Sequence, residues 1–185
     1  MLLKFSVLAS QFLDDPQAVR RVVFWPVLVW EEPPIVPGAV FTRRTEPGGA
    51  PRRPSAAEPL VLEVGRRMLP FEPERRITLG RTPDNDILVE DSTVSRTHAV
   101  FHREPLTGVW YVADEGSHNG TWRDGTLLIP GHAVPLFSRA SLRFGDVLAT
   151  FLQPTAFNQF ILDWLARSAG NRAPRVTAGG LTGGR

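Results

Sequence analysis

Residues 121–129 read Thr-Trp-Arg-Asp-Gly-Thr-Leu-Leu-Ile and predict a tight β-hairpin. Asp124-Gly125 lies between two runs of strand-forming residues, and both turn residues tolerate the positive φ angles that a two-residue turn requires. Residues 142–152 repeat the pattern, because Gly145-Asp146 separates two apolar runs. Both hairpins indicate antiparallel sheet.

Other short runs of β-branched and aromatic residues are bounded by turn-forming residues in the same way. They cover residues 60–64, 76–79, 87–89, 98–101 and 109–113. Since no helical period separates these runs, the sequence predicts an all-β fold, an antiparallel β-sandwich.

The period of the apolar residues changes after Pro154. Apolar residues then recur at i, i+3, i+4, i+7 and i+8, namely Phe157, Phe160, Ile161, Trp164 and Leu165. This spacing lays one apolar stripe along a helix. We therefore expect a short C-terminal amphipathic helix over residues 154–170.

The remaining segments differ in composition from this central region. Residues 1–59 form an N-terminal extension whose proline and glycine clusters indicate a flexible linker over residues 43–58. The apolar pieces 2–8 and 22–30 could form short strands or dock on the main domain, and the sequence leaves this open. Residues 60–153 form the main domain, and the Gly-rich tail 171–185 is expected to be disordered.

The overall composition excludes several classes of function. The 185-residue chain has no cysteine, which rules out disulfides, thiolate catalysis and cysteine-type zinc sites. Its net charge is only +2, so no strong field points to nucleic acid. No apolar run approaches the roughly 20 residues that a membrane span needs. We expect a cytoplasmic protein without cofactor or bound metal.

Four fragments in the central region carry a family resemblance. They are Leu79-Gly80-Arg81, Asp84-Asn85-Asp86-Ile87, Val94-Ser95-Arg96-Thr97-His98-Ala99 and Asp114-Glu115-Gly116-Ser117-His118-Asn119-Gly120-Thr121. In this order, and followed by the Asp-Gly hairpin and Phe144-Gly145, they resemble the signature of the forkhead-associated (FHA) domain over residues 60–153. The resemblance implies an eleven-stranded FHA/SMAD-like sandwich whose loops at one end bind a phosphothreonine peptide.

The residues at these positions suit a phosphate ligand. A phosphothreonine brings a charge near −1.5 to −2 and three strong acceptor oxygens. Arg81 can supply a planar two-pronged donor and Ser95 a hydroxyl, and the resemblance implies that these two hold the phosphate. Arg96 follows that serine and can add its amide or side chain. His118 stands where many members have a small hydroxyl residue, and there it could make affinity depend on pH near 6.5.

Further signature residues have positioning roles in the family pattern. Asn119 matches the asparagine that hydrogen-bonds the peptide backbone. A second set is expected to shape the loops rather than touch the ligand, namely Gly80, His98, Asp114, Gly120 and Thr121.

These observations predict a non-catalytic signalling adaptor. Its partner would be a phosphothreonine-containing protein, either a Ser/Thr kinase or the substrate of one, with no role for nucleic acid or membrane. The alternative is a phosphate-independent interaction scaffold that uses the sandwich surface or the C-terminal helix.

Hydrolase and metal functions are disfavoured by the local patterns. Ser95, His98 and Asp91 occur near one another, but the Gly-x-Ser-x-Gly elbow of hydrolases is absent. His98 and His102 would lie roughly 13 Å apart on a strand that rises about 3.3 Å per residue.

One regulatory hypothesis concerns the linker. Arg43-Arg44-Thr45-Glu46 places a threonine behind two arginines, a pattern that a basic-directed kinase could accept. Phosphorylated Thr45, or Thr42, would then fold back as an intramolecular ligand and block the site.

Overall fold

In the computed structural model, two β-sheets pack face to face and two helices cover one outer face. The structure describes residues 2–15, 17, 19, 23–30, 59–65 and 75–170. The strands of this part are β1 (Leu2–Lys4), β2 (Val27–Trp30), β3 (Leu60–Glu63), β4 (Ile77–Gly80), β5 (Ile87–Leu88), β6 (Ala99–Arg103), β7 (Trp110–Asp114), β8 (Thr121–Arg123), β9 (Thr126–Leu127), β10 (Val134–Leu136), β11 (Arg139–Phe144) and β12 (Val147–Leu152). The helices are α1 (Phe5–Asp14) and α2 (Pro154–Gly170).

The two sheets have different sizes and orders. The larger one has the order β1-β3-β2-β12-β11-β8-β9, and the smaller one has the order β10-β7-β6-β4-β5. Neighbouring strands are antiparallel except β4 and β5, which pair in parallel. The prediction of a mainly antiparallel β-sandwich with a C-terminal helix is confirmed.

Both predicted hairpins are present. In the first, Trp122 pairs with Leu127 and Arg123 with Thr126. Asp124 and Gly125 form the turn with φ angles of 49° and 81°, the left-handed values that a type I′ turn requires. In the second hairpin, β11 and β12 pair over their whole length across the turn at Gly145.

The main core lies between the sheets. Side chains alternate along each strand, so every second residue points inward. In β11 and β12 the inward residues Leu142, Phe144 and Phe151 are fully or nearly fully buried, and Phe101 and Trp110 oppose them from the smaller sheet. This core fixes the ends of the strands from which the functional loops start.

A second core covers the outer face of the larger sheet. Val27, Val29 and Leu152 point away from the first core and pack beneath both helices. Phe5 of α1 meets Phe157 of α2, with ring centroids 6.2 Å apart in an edge-to-face arrangement. The apolar stripe of α2 is therefore packed on its own sandwich, not presented to a partner's groove.

The N-terminal segment is part of the sandwich. The sequence predicts a domain boundary at residue 60 and leaves open whether residues 1–40 fold onto the domain. In the structure, β2 lies between β3 and β12 within the larger sheet. Helix α1 was not predicted, although its buried residues Phe5, Leu8, Ala9 and Phe12 follow the helical spacing i, i+3, i+4, i+7. The described residues contain twelve strands instead of the eleven that the resemblance implied, because residues 60–153 form ten strands and the N-terminal segment adds β1 and β2.

Several predictions concern residues that the structure does not describe. The linker 43–58 with Thr45, Thr42 in the segment before it, and the tail 171–185 lie outside the described residues. Neither α1 nor α2 has the length and hydrophobicity needed to cross a membrane.

Candidate functional site

Three loops converge at one end of the sandwich around an open cleft. They follow β4, precede β6 and follow β7, and they carry the four fragments singled out in the sequence, two of which lie in the first loop. The cleft has a volume of about 760 Å³. It is lined by Arg81, Thr82, Asp84, Ser95, Arg96, Thr97, Gly116 and His118. The structure thus brings together the four residues for which the sequence predicted phosphate contacts, namely Arg81, Ser95, Arg96 and His118.

Arg81 is placed by a backbone link between the first two loops. Its amide donates to the carbonyl oxygen of Ser95 across 3.0 Å. The approach is so close that a Cβ atom on Gly80 would lie 1.9 Å from the Arg96 carbonyl oxygen. The exposed guanidinium of Arg81 has no ion-pair or hydrogen-bond partner among the described residues. It is available to an anionic ligand.

The Arg96 carbonyl anchors the second loop to the first. It accepts hydrogen bonds from Nδ2 of the buried Asn85 at 2.6 Å and from the Thr82 hydroxyl at 3.1 Å. Asn85 also donates to the Thr82 carbonyl. The backbone amides of Arg96 and Thr97 have no acceptor within the described part of the chain, so both remain available to a ligand.

Ser95 and His98 form the centre of the site. The Ser95 amide donates to Nδ1 of His98 at 3.0 Å, and Nε2 of His98 is 3.0 Å from the Gly120 carbonyl oxygen. The Ser95 hydroxyl oxygen accepts from the His118 amide at 3.0 Å. Because this bond uses a lone pair of Oγ, the hydroxyl hydrogen is left to donate into the cleft.

The bonds of His98 settle its protonation state. Nδ1 accepts a hydrogen and must be bare, so Nε2 carries the proton and donates it to Gly120. Burial lowers the pKa of His98, against the opposing effects of the Gly120 carbonyl and the Asp114 carboxylate. The neutral ring therefore links the second loop to the third.

Asp114 organises the third loop from its base. Its carboxylate is buried, and it accepts four hydrogen bonds, two from the amides of Gly116 and Ser117 and two from the hydroxyls of Ser117 and Thr121. Burial alone would raise the pKa of this carboxyl group, but the hydrogen bonds from Ser117 and Thr121 outweigh it, so the pKa is lowered. The charged form is thus the one that the loop stabilises.

His118 and Asn119 follow in the third loop. His118 is exposed and lines the cleft. Asn119 lies outside the lining residues, and its Nδ2 donates to the Thr93 carbonyl oxygen at 2.8 Å. The structure therefore separates Asn119 from the phosphate-directed set and places it on the side of the cleft that faces the β11–β12 turn.

The sequence analysis missed Thr93. Its hydroxyl donates to Asp91 and accepts from the Asp146 amide, so it ties the second loop to the β11–β12 turn. A Cβ on Gly145 would lie 2.4 Å from the Thr93 carbonyl oxygen. The available signal was a threonine two residues after Asp91, a spacing typical of a side chain–capped turn.

The cleft is suited to an anion that carries several acceptor oxygens. Arg81 and Arg96 bring two guanidinium groups, Ser95 brings a hydroxyl donor, and the two unpaired amides add backbone donors. Asp84, whose pKa is lowered chiefly by its hydrogen bond with Thr82, contributes one negative charge. The remaining excess of positive charge favours a phosphate-like group.

Comparison with known proteins identifies the domain. Residues 77–145 match the FHA domain family. The chain contains an FHA domain. In the oxoglutarate dehydrogenase inhibitor of Corynebacterium diphtheriae, 92 aligned residues are 40% identical, covering 45% of this chain and 62% of that protein. The glycogen accumulation regulator GarA of Mycolicibacterium smegmatis is 42% identical over 73 residues, covering 37% of this chain and 44% of that protein.

The match to these relatives is confined to part of each protein. The chain spans less than two thirds of the length of either. Among solved structures, the chain is similar to EmbR of Mycobacterium tuberculosis in complex with a low-affinity phosphopeptide. That similarity has a TM-score of 0.38 and 29% identity, and covers 43% of this chain and 20% of that one.

Proposed function

We propose that the chain is a non-catalytic adaptor that binds phosphothreonine-containing segments of partner proteins through its FHA domain. The observation that carries this proposal is the convergence of Arg81, the Ser95 hydroxyl and the amides of Arg96 and Thr97 on one open cleft. Phosphate brings the charge and the acceptors that match these donors. Asn119, the residue after His118 in the third loop, would hold the peptide backbone.

The hydrogen bonds of the site support a binding role over hydrolysis. A serine nucleophile needs a base within hydrogen-bond reach of its hydroxyl. In this site Nδ1 of His98 is occupied by the Ser95 amide, and Nε2 is occupied by the Gly120 carbonyl. Neither nitrogen can take the proton of the Ser95 hydroxyl. Two relatives are named an inhibitor and a regulator, and these names agree with a binding role.

The proposed setting is cytoplasmic Ser/Thr-kinase signalling, in which the partner is a kinase or one of its substrates. A partner that is itself a metabolic enzyme would agree with the name of the oxoglutarate dehydrogenase inhibitor. The phosphate-independent alternative has less support, since free cationic donors in the cleft would then have no ligand.

Binding to degenerate peptide libraries tests the proposal. The full chain is incubated with three libraries that share flanking positions and carry phosphothreonine, phosphoserine or unmodified threonine. We expect selection of phosphothreonine peptides with micromolar affinity, near −8 kcal/mol. Equal binding of the unmodified library would favour the phosphate-independent scaffold.

A further inference from the structure

A row of four side chains crosses the outer face of the larger sheet next to the candidate site. Trp122 pairs with Leu127 on one side and with Arg143 on the other, and Arg143 pairs in turn with Leu148. Since their strand neighbours point into the core, these four side chains face outward. We call Leu127, Trp122, Arg143 and Leu148 the outer row. It spans about 14 Å, three inter-strand spacings.

The outer row is apolar and exposed, with one charge at its middle. Leu127 is 56% exposed and Leu148 is 60% exposed, while Trp122 and Arg143 are half-buried. The Arg143 guanidinium carbon lies 3.3 Å from the centre of the Trp122 ring, and its Nη1 donates to the Gly145 carbonyl oxygen at 3.0 Å. Stacking and this hydrogen bond hold the guanidinium flat on the indole.

The charge on Arg143 has no counter-ion in the described part of the chain. The guanidinium has further N–H groups in a planar fork, and a carboxylate is the group that fits such a fork. Exposed leucines on either side offer apolar area. Arginine and tryptophan are also the residues that most often dominate protein interfaces. The chemistry of the row therefore fits an apolar side chain next to a carboxylate.

The outer row is continuous with the phosphate site. A Cβ on Gly120 would lie 2.8 Å from Cδ1 of Leu127 and 3.1 Å from Cη2 of Trp122, so both side chains lie against Gly120. Asn119 is the preceding residue. A peptide held by Asn119 would thus meet the near end of the row, Leu127 and Trp122, and would need several further residues to cross to Arg143 and Leu148.

We propose that the outer row is a second docking surface for the phosphothreonine-bearing partner, taking an acidic-and-apolar segment that flanks the phosphothreonine in the same chain. This inference rests on the proposed function and names more of the partner. A second copy of the protein fits less well, because a two-fold contact sets the row against itself, and the row contains no carboxylate that could pair with Arg143.

Peptides of two lengths separate this surface from the phosphate site. Short libraries carry three degenerate positions on either side of phosphothreonine, and long libraries carry ten. We expect the best long peptides to bind the full chain about tenfold more tightly than the best short ones, a difference of about 1.4 kcal/mol. Selection should enrich acidic and large apolar residues at the distal positions.

Two variants of the outer row should remove the gain in affinity that long peptides have over short ones. Arg143→Glu and Leu148→Ser should bring long peptides down to the affinity of short ones while leaving short-peptide affinity within about twofold. Arg139→Glu changes the same charge on the same face of β11, and Leu106→Ser removes a leucine that is more exposed than Leu148 from a distant turn. Both controls should keep the gain.

Three results would overturn the proposal. One is equal affinity of long and short peptides for the unmodified chain. Another is a gain from length that survives both Arg143→Glu and Leu148→Ser. The last is a concentration-dependent dimer that sedimentation measurements detect in the unmodified chain and not in Leu148→Ser. That result would mean that a second copy of the protein occupies the outer row. If short peptides fail to bind at all, the phosphothreonine proposal itself fails, so the two failures are distinguishable.

Discussion

The backbone amide of Ser95 donates a hydrogen bond to Nδ1 of His98 across 3.0 Å, and this bond requires a neutral imidazole. A proton on Nδ1 would set two donors against each other. The same ring donates from Nε2 to Gly120, and this bond persists in the charged ring, so protonation would break the link of His98 to the second loop and keep the link to the third.

We expect this pair to make stability depend on pH. Burial lowers the pKa of His98 below its ordinary value of about 6.5, so the unfolded chain binds a proton at a higher pH than the folded chain. The stability is complete above about pH 6.5 and is lost as the pH falls through the folded pKa. Burial, together with Arg76, also lowers the pKa of His102, which adds a dependence of the same sign.

Unfolding temperatures of histidine variants check this expectation. The melting temperature is measured as a function of pH in the His102→Asn background, with and without His98→Asn. The variant that lacks both histidines should show a shallower decrease on acidification below about pH 6.5. An unchanged slope would mean that His98 is not held neutral by burial in the folded protein.

Removal of the Ser95 hydroxyl should weaken phosphopeptide binding without unfolding the domain. A hydrogen bond to a charged group contributes about 1.5–3 kcal/mol, so Ser95→Ala should lower affinity by about tenfold to a hundredfold. The matched control is Ser92→Ala, an exposed serine of the same loop, which should bind normally. Titration calorimetry with one selected phosphothreonine peptide gives both affinities, and equal values would remove Ser95 from the site.

A methyl group at Gly80 should displace the second loop. The added Cβ would meet the Arg96 carbonyl oxygen at 1.9 Å and Nδ2 of Asn85 at 2.7 Å, and a backbone oxygen cannot move aside as a flexible side chain can. We expect Gly80→Ala to cost about 1–3 kcal/mol of stability, a typical effect of overpacking, and to lower phosphopeptide affinity as well.

Gly116→Ala provides the comparison. Its Cβ would meet no atom of the described residues within 4 Å, and the cost is confined to its positive φ of 73°. Chemical denaturation should rank Gly80→Ala as the less stable variant. The opposite order would contradict the close approach between the first two loops.

The contact between the two helices should stabilise the whole sandwich. Phe5 is fully buried, with its ring centroid 5.7 Å from that of Phe160 and 4.9 Å from that of Trp164. Truncation of such a phenylalanine costs about 3–5 kcal/mol. Phe5→Ala should therefore lower the free energy of unfolding by that amount while the folded fraction keeps its phosphopeptide affinity.

Val7→Ala is the control on the same helix, since Val7 is 50% exposed. It should change the free energy of unfolding by less than about 0.5 kcal/mol. Equal effects of the two substitutions would mean that α1 does not pack on the domain in solution.

Local chemistry explains which parts of the fold were predictable. Asp124-Gly125 specifies its own turn, and the stripe from Phe157 to Leu165 specifies its own helix, because the interacting residues are close in sequence. The position of β2 between β3 and β12 depends on pairing across a long sequence separation. Four consecutive buried residues in β2 show no alternation, because both of its faces are covered.

The same distinction applies to the site. Arg81 and Ser95 stand out because their fragments have a recognisable order, and the structure places both in one cleft. Thr93 does not stand out in the sequence, because its contacts to Asp146 and Asn119 join turns that are far apart along the chain. Helix α1 could have been predicted from the helical spacing of its apolar residues. The outer row could not, because its four residues become neighbours only through the pairing register of four strands.

The most direct test of the central claim is the affinity of one selected phosphothreonine peptide for the full chain and for Arg81→Ala. Arg139→Ala, an exposed arginine of β11, serves as the control. Loss of the charge-assisted contacts of Arg81 should weaken binding by about tenfold to several hundredfold, while the control binds normally. An Arg81→Ala protein that is folded and binds the phosphopeptide as tightly as the unmodified chain would contradict the account.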